Sequence, residues 1–265
     1  MINNRKSYAF DFDSNLVFTQ DTIFLLKRNW KSWRRVEVSQ KEFDQISVDK
    51  VNWRRINDNP EDSLINFLKP GNYKKALLDA LDNDQTWPGR WSFVEANESA
   101  SPIAMITARG QSPQELKEAH EEVIYNILNL RERERLIESM QKKFKIRLQK
   151  DSAIELYLNN NLYLPVESPE FLQKFDINTD IPVKKRKNIA FEMFVLHVQS
   201  LFEQYYWEKF INNPIFSMWF SDDNLQNSQS MINFIKSDLL SKYPHVKFVV
   251  YDTNDITNVK RFKIK

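Results

Sequence analysis

In the stretch YAFDFDSN, residues 8–15, two aspartates, Asp11 and Asp13, stand one residue apart at the end of a short apolar run. Carboxylates so close repel each other and lose hydration when buried, so a folded protein that keeps them there must offset their charge. A second acidic pair, Asp222 and Asp223, ends another apolar run, IFSMWFSD. Between the two lie a third apolar run ending in a hydroxyl, IAMIT with Thr107, and a basic cluster, Lys184, Lys185 and Lys187. Two carboxylate pairs facing each other make a hard oxygen site suited to Mg²⁺. A free carboxylate beside the ion could attack phosphorus and form an aspartyl-phosphate. The second aspartate of the first pair could protonate the leaving oxygen and later activate water. Thr107 and a lysine would hold the phosphoryl oxygens as charge redistributes.

The elements that must position these groups can be read from periodicity. Residues 7–12, 103–107, 215–221 and 246–251 read as short buried strands, widely spaced, with helical stretches among the intervening segments. Helices are expected over 74–82, 113–130, 132–147, 186–210 and 227–242. Ser112, Pro113 and Glu115 form the start of the second, as cap, first helical residue and capping box. Met231, Ile232, Ile235 and Leu239 give the last an apolar stripe. The alternation implies an α/β fold, a Rossmann-like three-layer sandwich around a mainly parallel sheet. In such a sheet ligands bind beyond the carboxyl ends of the strands, where all the singled-out residues stand. Asp252 and Asp255, after the last strand, have no matching partners and read as a solvated turn.

Composition narrows the alternatives. With no cysteine there is neither a disulfide framework nor a thiolate metal site. The histidines, His120, His197 and His245, are too few and too scattered for a multi-histidine zinc centre. A formal net charge of +2 is too small to argue for a nucleic-acid partner. No run is apolar enough for a membrane span, and residues 1–21 lack a signal-peptide pattern, so a soluble, cytoplasmic protein is expected.

At these motifs the chain resembles the haloacid dehalogenase (HAD) superfamily of phosphohydrolases. Its four motifs are matched in order by DFDSN at 11–15, IAMIT ending at Thr107, VKKRKNIAF with its lysines, and MWFSDD ending at Asp223. The resemblance implies Asp11 as nucleophile and Asp13 as general acid/base. It implies Mg²⁺ held by the Asp11 carboxylate, the Asp13 backbone carbonyl and Asp222 or Asp223, or both. It implies Thr107 as a phosphoryl ligand. Lys185 is the preferred lysine, from its spacing to Phe191, with Lys184 and Lys187 as alternatives. The family usually carries Gly-Thr after the second aspartate; here Ser14 and Asn15 stand instead.

The core would comprise 1–19, 74–130 and 181–265. Residues 20–73, rich in tryptophan and arginine, fall where a cap insertion would lie, and 131–180 is a candidate second insertion. The expected partner is a phosphorylated small molecule or nucleotide, with a nucleic-acid end suggested by the aromatic and basic residues of 20–73. Two other readings stay open: a catalytically weak or inactive binding module, and an assembly protein on the same fold.

Overall fold

The computed structural model describes residues 5–13, 15–16, 23–30, 32–38, 42, 46, 51–56, 77, 88–145, 147, 149–210, 216–255 and 257–264. The expected helix over 74–82 lies outside them except for Leu77, as do Ser14 and most of 57–87.

The apolar runs become the middle of one sheet. Strand β1 (Arg5–Phe10) is flanked by β5 (Ile103–Thr107) and β7 (Phe216–Asp222), both parallel to it. Strand β8 (Val246–Asp252) extends the sheet beyond β7, and an antiparallel strand, β9 (Lys260–Ile264), closes that side. Beyond β5 lies a short parallel strand, β6 (Leu162–Pro165), giving the order β6-β5-β1-β7-β8-β9. The sequence reading missed both outer strands. LYLP is four residues ending in proline, and KRFKI is a charged edge strand, so neither carries the long apolar run of a central strand.

Side chains alternate across this sheet, and each face is buried. On one face Ala9, Ala104, Ile106, Met218 and Phe220 pack against helix α6 (Val183–Phe210) and helix α7 (Leu225–Phe234). Helix α7 runs on through a π-helical turn, Ile235–Leu239, to Lys242. On the other face Tyr8, Phe10, Ile103 and Met105 meet α1 (Arg90–Glu98), α2 (Pro113–Ile127), α3 (Leu130–Phe144) and α4 (Lys150–Asn159). A short α5 (Pro169–Lys174) follows β6. The result is the expected three-layer α/β arrangement. Helix α2 starts with the capping box read from sequence: Ser112 Oγ accepts from the Glu115 N–H, and the Glu115 carboxylate accepts from the Ser112 N–H. No helix among the described residues is long and apolar enough to cross a membrane.

Residues 131–180 pack into the core sheet and its helical layer. They supply most of α3, all of α4 and β6, whose register runs from Ala104 opposite Leu162 to Thr107 opposite Pro165. The charged stretch 131–135 is the outer side of α3, whose Leu136 and Met140 are buried in the core. This is the helix expected over 132–147, with its dense charge on the solvent side.

Residues 20–73 do contain a second sheet. Strands β2 (Ile23–Asn29), β3 (Ser32–Val38) and β4 (Trp53–Arg55) form an antiparallel sheet of order β3-β2-β4, with its own small apolar cluster of Ile23, Leu25 and Val38. The chain departs for this region just after Asn15 and is back at Gly89, whose N–H donates to the Asn15 carbonyl at 2.8 Å. A Cβ at Gly89 would lie 2.8 Å from that carbonyl oxygen and 2.9 Å from Leu16 Cδ2, so only glycine lets the two ends meet this closely.

Candidate functional site

The connections leave β1 and β7 in opposite directions. After β1 the chain moves toward β5 and β6; after β7 it moves toward β8 and β9. A crevice therefore opens between the carboxyl ends of β1 and β7. Asp11 follows β1 directly, and its N–H still donates to the Ser221 carbonyl at 2.8 Å. Asp222 is the last residue of β7. Oxygens of Asp11, Asp222 and Asp223 all lie within 4.8 Å of one another. Asp11 and Asp222 are buried and Asp223 is partly buried.

Lys187 lies between two of these acids. Its Nζ stands 2.8 Å from Asp11 Oδ2 and 2.7 Å from Asp222 Oδ2, with the lysine 1 % exposed. Lys185, the lysine preferred from sequence, is exposed, as is Lys184. The correction follows from helix geometry. At 100° per residue Lys185 points roughly 200° away from Lys187. Lys187 is in register with the buried stripe Ala190, Phe191, Phe194 and Val198, at offsets of 3, 4, 7 and 11. That stripe is the sequence signal for the lysine that faces the sheet and reaches the acids.

Asp13 meets a different cation. Arg109 grips it at both oxygens, Nε to Oδ2 at 2.7 Å and Nη2 to Oδ1 at 2.6 Å, with the guanidinium fully buried. Thr107 Oγ1 also donates to Asp13 Oδ2, at 3.3 Å. Arg109 stands two residues after Thr107, but no local pattern there marks it as the partner of Asp13.

The departure at position 15 acquires a structural account. Asn15 is fully buried, and its Nδ2 donates to the carbonyls of Asp11 at 3.0 Å and Ser221 at 3.3 Å. Its Oδ1 accepts from Ser221 Oγ at 2.8 Å and from Thr253 Oγ1 at 2.9 Å. One amide thus joins residues at the ends of β1, β7 and β8 and fixes the backbone that carries Asp11 and Asp222. Asp222 is oriented in turn: Oδ1 accepts from the Asn224 N–H at 2.9 Å and from Asn227 Nδ2 at 3.1 Å. Asn224 caps α7, so the turn that aims Asp222 also starts the helix. Asp252, read from sequence as solvated, is buried, because it lies in register beside Asp222 on β8; Asp255 is exposed.

Among the described residues the acids Asp11, Asp13, Asp222 and Asp223 cluster around two buried cations, Arg109 and Lys187. Burial, with Asp222 and Asp13 nearby, pushes the Asp11 carboxyl up to about 7 against the opposing pull of Lys187. Burial alone would lower Lys187, but the attraction of Asp11 and Asp222 outweighs it and holds the ammonium well above its ordinary range. The all-oxygen donor set of Asp11, Asp222 and Asp223 is of the kind that could hold a hard divalent cation such as Mg²⁺.

The fold and its strand-end acidic crevice define an α/β protein of Rossmann-like architecture with a candidate divalent-metal centre. Comparison of the chain with protein-family models, with curated proteins and with solved structures finds no match to any of them.

Proposed function

We propose that the protein is a Mg²⁺-dependent phosphomonoesterase of the haloacid dehalogenase type. One observation carries the reading: Asp11, Asp222 and Asp223 converge within 4.8 Å at the ends of adjacent parallel strands, with buried Lys187 bridging two of them. Mg²⁺ held by the Asp11 carboxylate, the Asp13 carbonyl and the acids of 222–223 would supply Lewis acidity and neutralise phosphate charge. A carboxylate oxygen of Asp11 attacks phosphorus, the bond to the ester oxygen breaks, and the leaving oxygen takes a proton from Asp13. Water then attacks the aspartyl-phosphate, gives its proton to Asp13 and releases inorganic phosphate. Lys187 keeps Asp11 oriented and balances charge as the phosphoryl group moves. Thr107, whose Oγ1 donates to Asp13 Oδ2 at 3.3 Å, would hold a phosphoryl oxygen. Both oxygens of Asp13 are engaged by Arg109, so proton transfer through Asp13 requires that ion pair to open on one side.

The same Asp13–Arg109 clamp, together with Asn15 at the motif, favours one alternative: a binding or assembly protein that keeps the fold and the ion without turnover. Hydrolysis of an aryl phosphate with and without Mg²⁺, in the native protein and in Asp11→Asn, separates the two. Mg²⁺-dependent release of phosphate that vanishes in Asp11→Asn supports the phosphatase. No turnover by the native protein, with Mg²⁺ still raising its melting temperature, supports the alternative.

A further inference from the structure

We infer that the small sheet β3-β2-β4 is a binding surface for single-stranded nucleic acid. The inference rests on this sheet alone and not on the strand-end chemistry.

Register sorts the two faces. Leu25 pairs with Val36 and Arg55, and Ile23 with Val38, so these share a face. That face holds the small apolar cluster, to which Ile46 and Trp53 add contacts. The opposite face carries Phe24, Leu26, Arg28, Trp33, Arg35 and Arg54, with one acid, Glu37, at its far end, because Phe24 pairs with Glu37, Leu26 with Arg35 and Arg54, and Arg28 with Trp33. Its three arginines are exposed and its rings half-buried. The Arg54 guanidinium lies 4.3 Å from the Trp33 ring centroid, and that of Arg35 lies 4.0 Å from the Phe24 centroid. Arginine planes laid on aromatic rings form a surface on which bases can stack while phosphates pair with the same guanidiniums.

Charge points the same way. Strands β2, β3 and β4 hold six of the 38 basic residues and one of the 36 acidic ones, so they carry +5 and the remainder of the chain −3. The modest net charge of the whole hides this polarity. At the β2–β3 turn, Trp30 is 89 % exposed and sits at φ 45°, a left-handed conformation that asparagine or glycine would take more readily. A large ring held in solvent in a disfavoured backbone conformation extends the stacking surface at the sheet's tip. A single strand offers the base faces that these rings need; a duplex hides them, and an acidic peptide has none.

The test uses the full chain and a fluorescein-labelled 12-nucleotide oligothymidylate, with polarisation measured from 50 to 200 mM NaCl. Three arginines on phosphates predict a slope of log K against log salt near −2, at about −0.7 per contact. Arg54→Gln and Arg28→Gln should each flatten the slope by about 0.7. Trp33→Ala should weaken binding about tenfold with the slope retained. Hydrolysis of an aryl phosphate by these variants is measured in parallel. Unchanged turnover with lost oligonucleotide binding supports the inference even where Trp33→Ala alone disturbs the sheet, because the exposed Arg28→Gln repeats the test. Three results would each overturn it: no binding at 50 mM NaCl, equal binding of polyglutamate, or tighter binding of the matching duplex.

Discussion

Replacing Lys187 by methionine probes the centre of the site, because it removes charge while keeping most of the side-chain volume. The ammonium lies 2.8 Å from Asp11 and 2.7 Å from Asp222, with all three groups buried. At an effective dielectric of about 20, each contact is worth about 6 kcal/mol of direct attraction, much of it offset by desolvation. Breaking a buried ion pair from one side costs about 3–5 kcal/mol in practice. The lower end applies, because the Asp11 carboxyl, with its titration near 7, can take up a proton and relieve the strain. We therefore expect Lys187→Met to lose about 3 kcal/mol at pH 8, seen as a melting temperature lower by about 6–12 °C. The loss should be smaller at pH 6, and Mg²⁺ should restore part of it by supplying the missing positive charge. Aryl phosphatase activity should fall about 10²–10³-fold, the usual cost of removing one charge-stabilising donor. Lys185→Met, at an exposed position, should shift stability by no more than about 0.5 kcal/mol and leave turnover intact. Urea unfolding at both pH values, with and without Mg²⁺, reads the stability; phosphate release reads the activity. An inactive Lys185→Met beside a fully active and stable Lys187→Met would refute the assignment.

Three further outcomes are expected. The Asp11 pKa is raised on folding from 3.8 to about 7. The folded protein therefore holds the extra proton between those values, and the native state loses stability as pH climbs through the window, by at most about 4 kcal/mol without Mg²⁺. Urea midpoints of the native protein minus those of Asp11→Asn, from pH 4 to 8, should show this decline, and Mg²⁺ should flatten it; a flat metal-free difference would contradict it. Arg109→Lys keeps the charge but not the two-pronged grip on Asp13, so about 2–4 kcal/mol of stability and most activity should be lost, as calorimetry and phosphate release would register. Wild-type melting in this variant would mean that the clamp contributes little. Asn15→Ala strands the Ser221 and Thr253 hydroxyls and the Asp11 carbonyl, while the Ser221 carbonyl keeps the Asp11 N–H, at about 1 kcal/mol for each of the three, the low end for buried groups left unsatisfied. We expect a total near 3 kcal/mol, with weaker Mg²⁺ binding by calorimetric titration; undiminished affinity would show that Asn15 does not set the spacing of Asp11 and Asp222.

The sequence by itself determined the four inner strands, the α/β order and the acids that stand at strand ends, because a strand buried on both faces must be a continuous apolar run and its ending is marked by the first polar residues. It also determined the start of α2, since a capping box is a local interaction complete within a few residues. The tertiary structure alone decided which groups meet. Arg109 reaches Asp13 across 96 positions, and Asn15 reaches Thr253 across 238. No local pattern encodes such pairs, because they form only when parallel strands bring their ends together. The choice of Lys187 over Lys185 stood between the two: helical periodicity contained it, but only the packing of α6 on the sheet showed which side of the helix faces the acids. The edges β6 and β9 were likewise left to tertiary pairing, because short or charged strands gain most of their stability from the neighbour they add to and little from their own side chains.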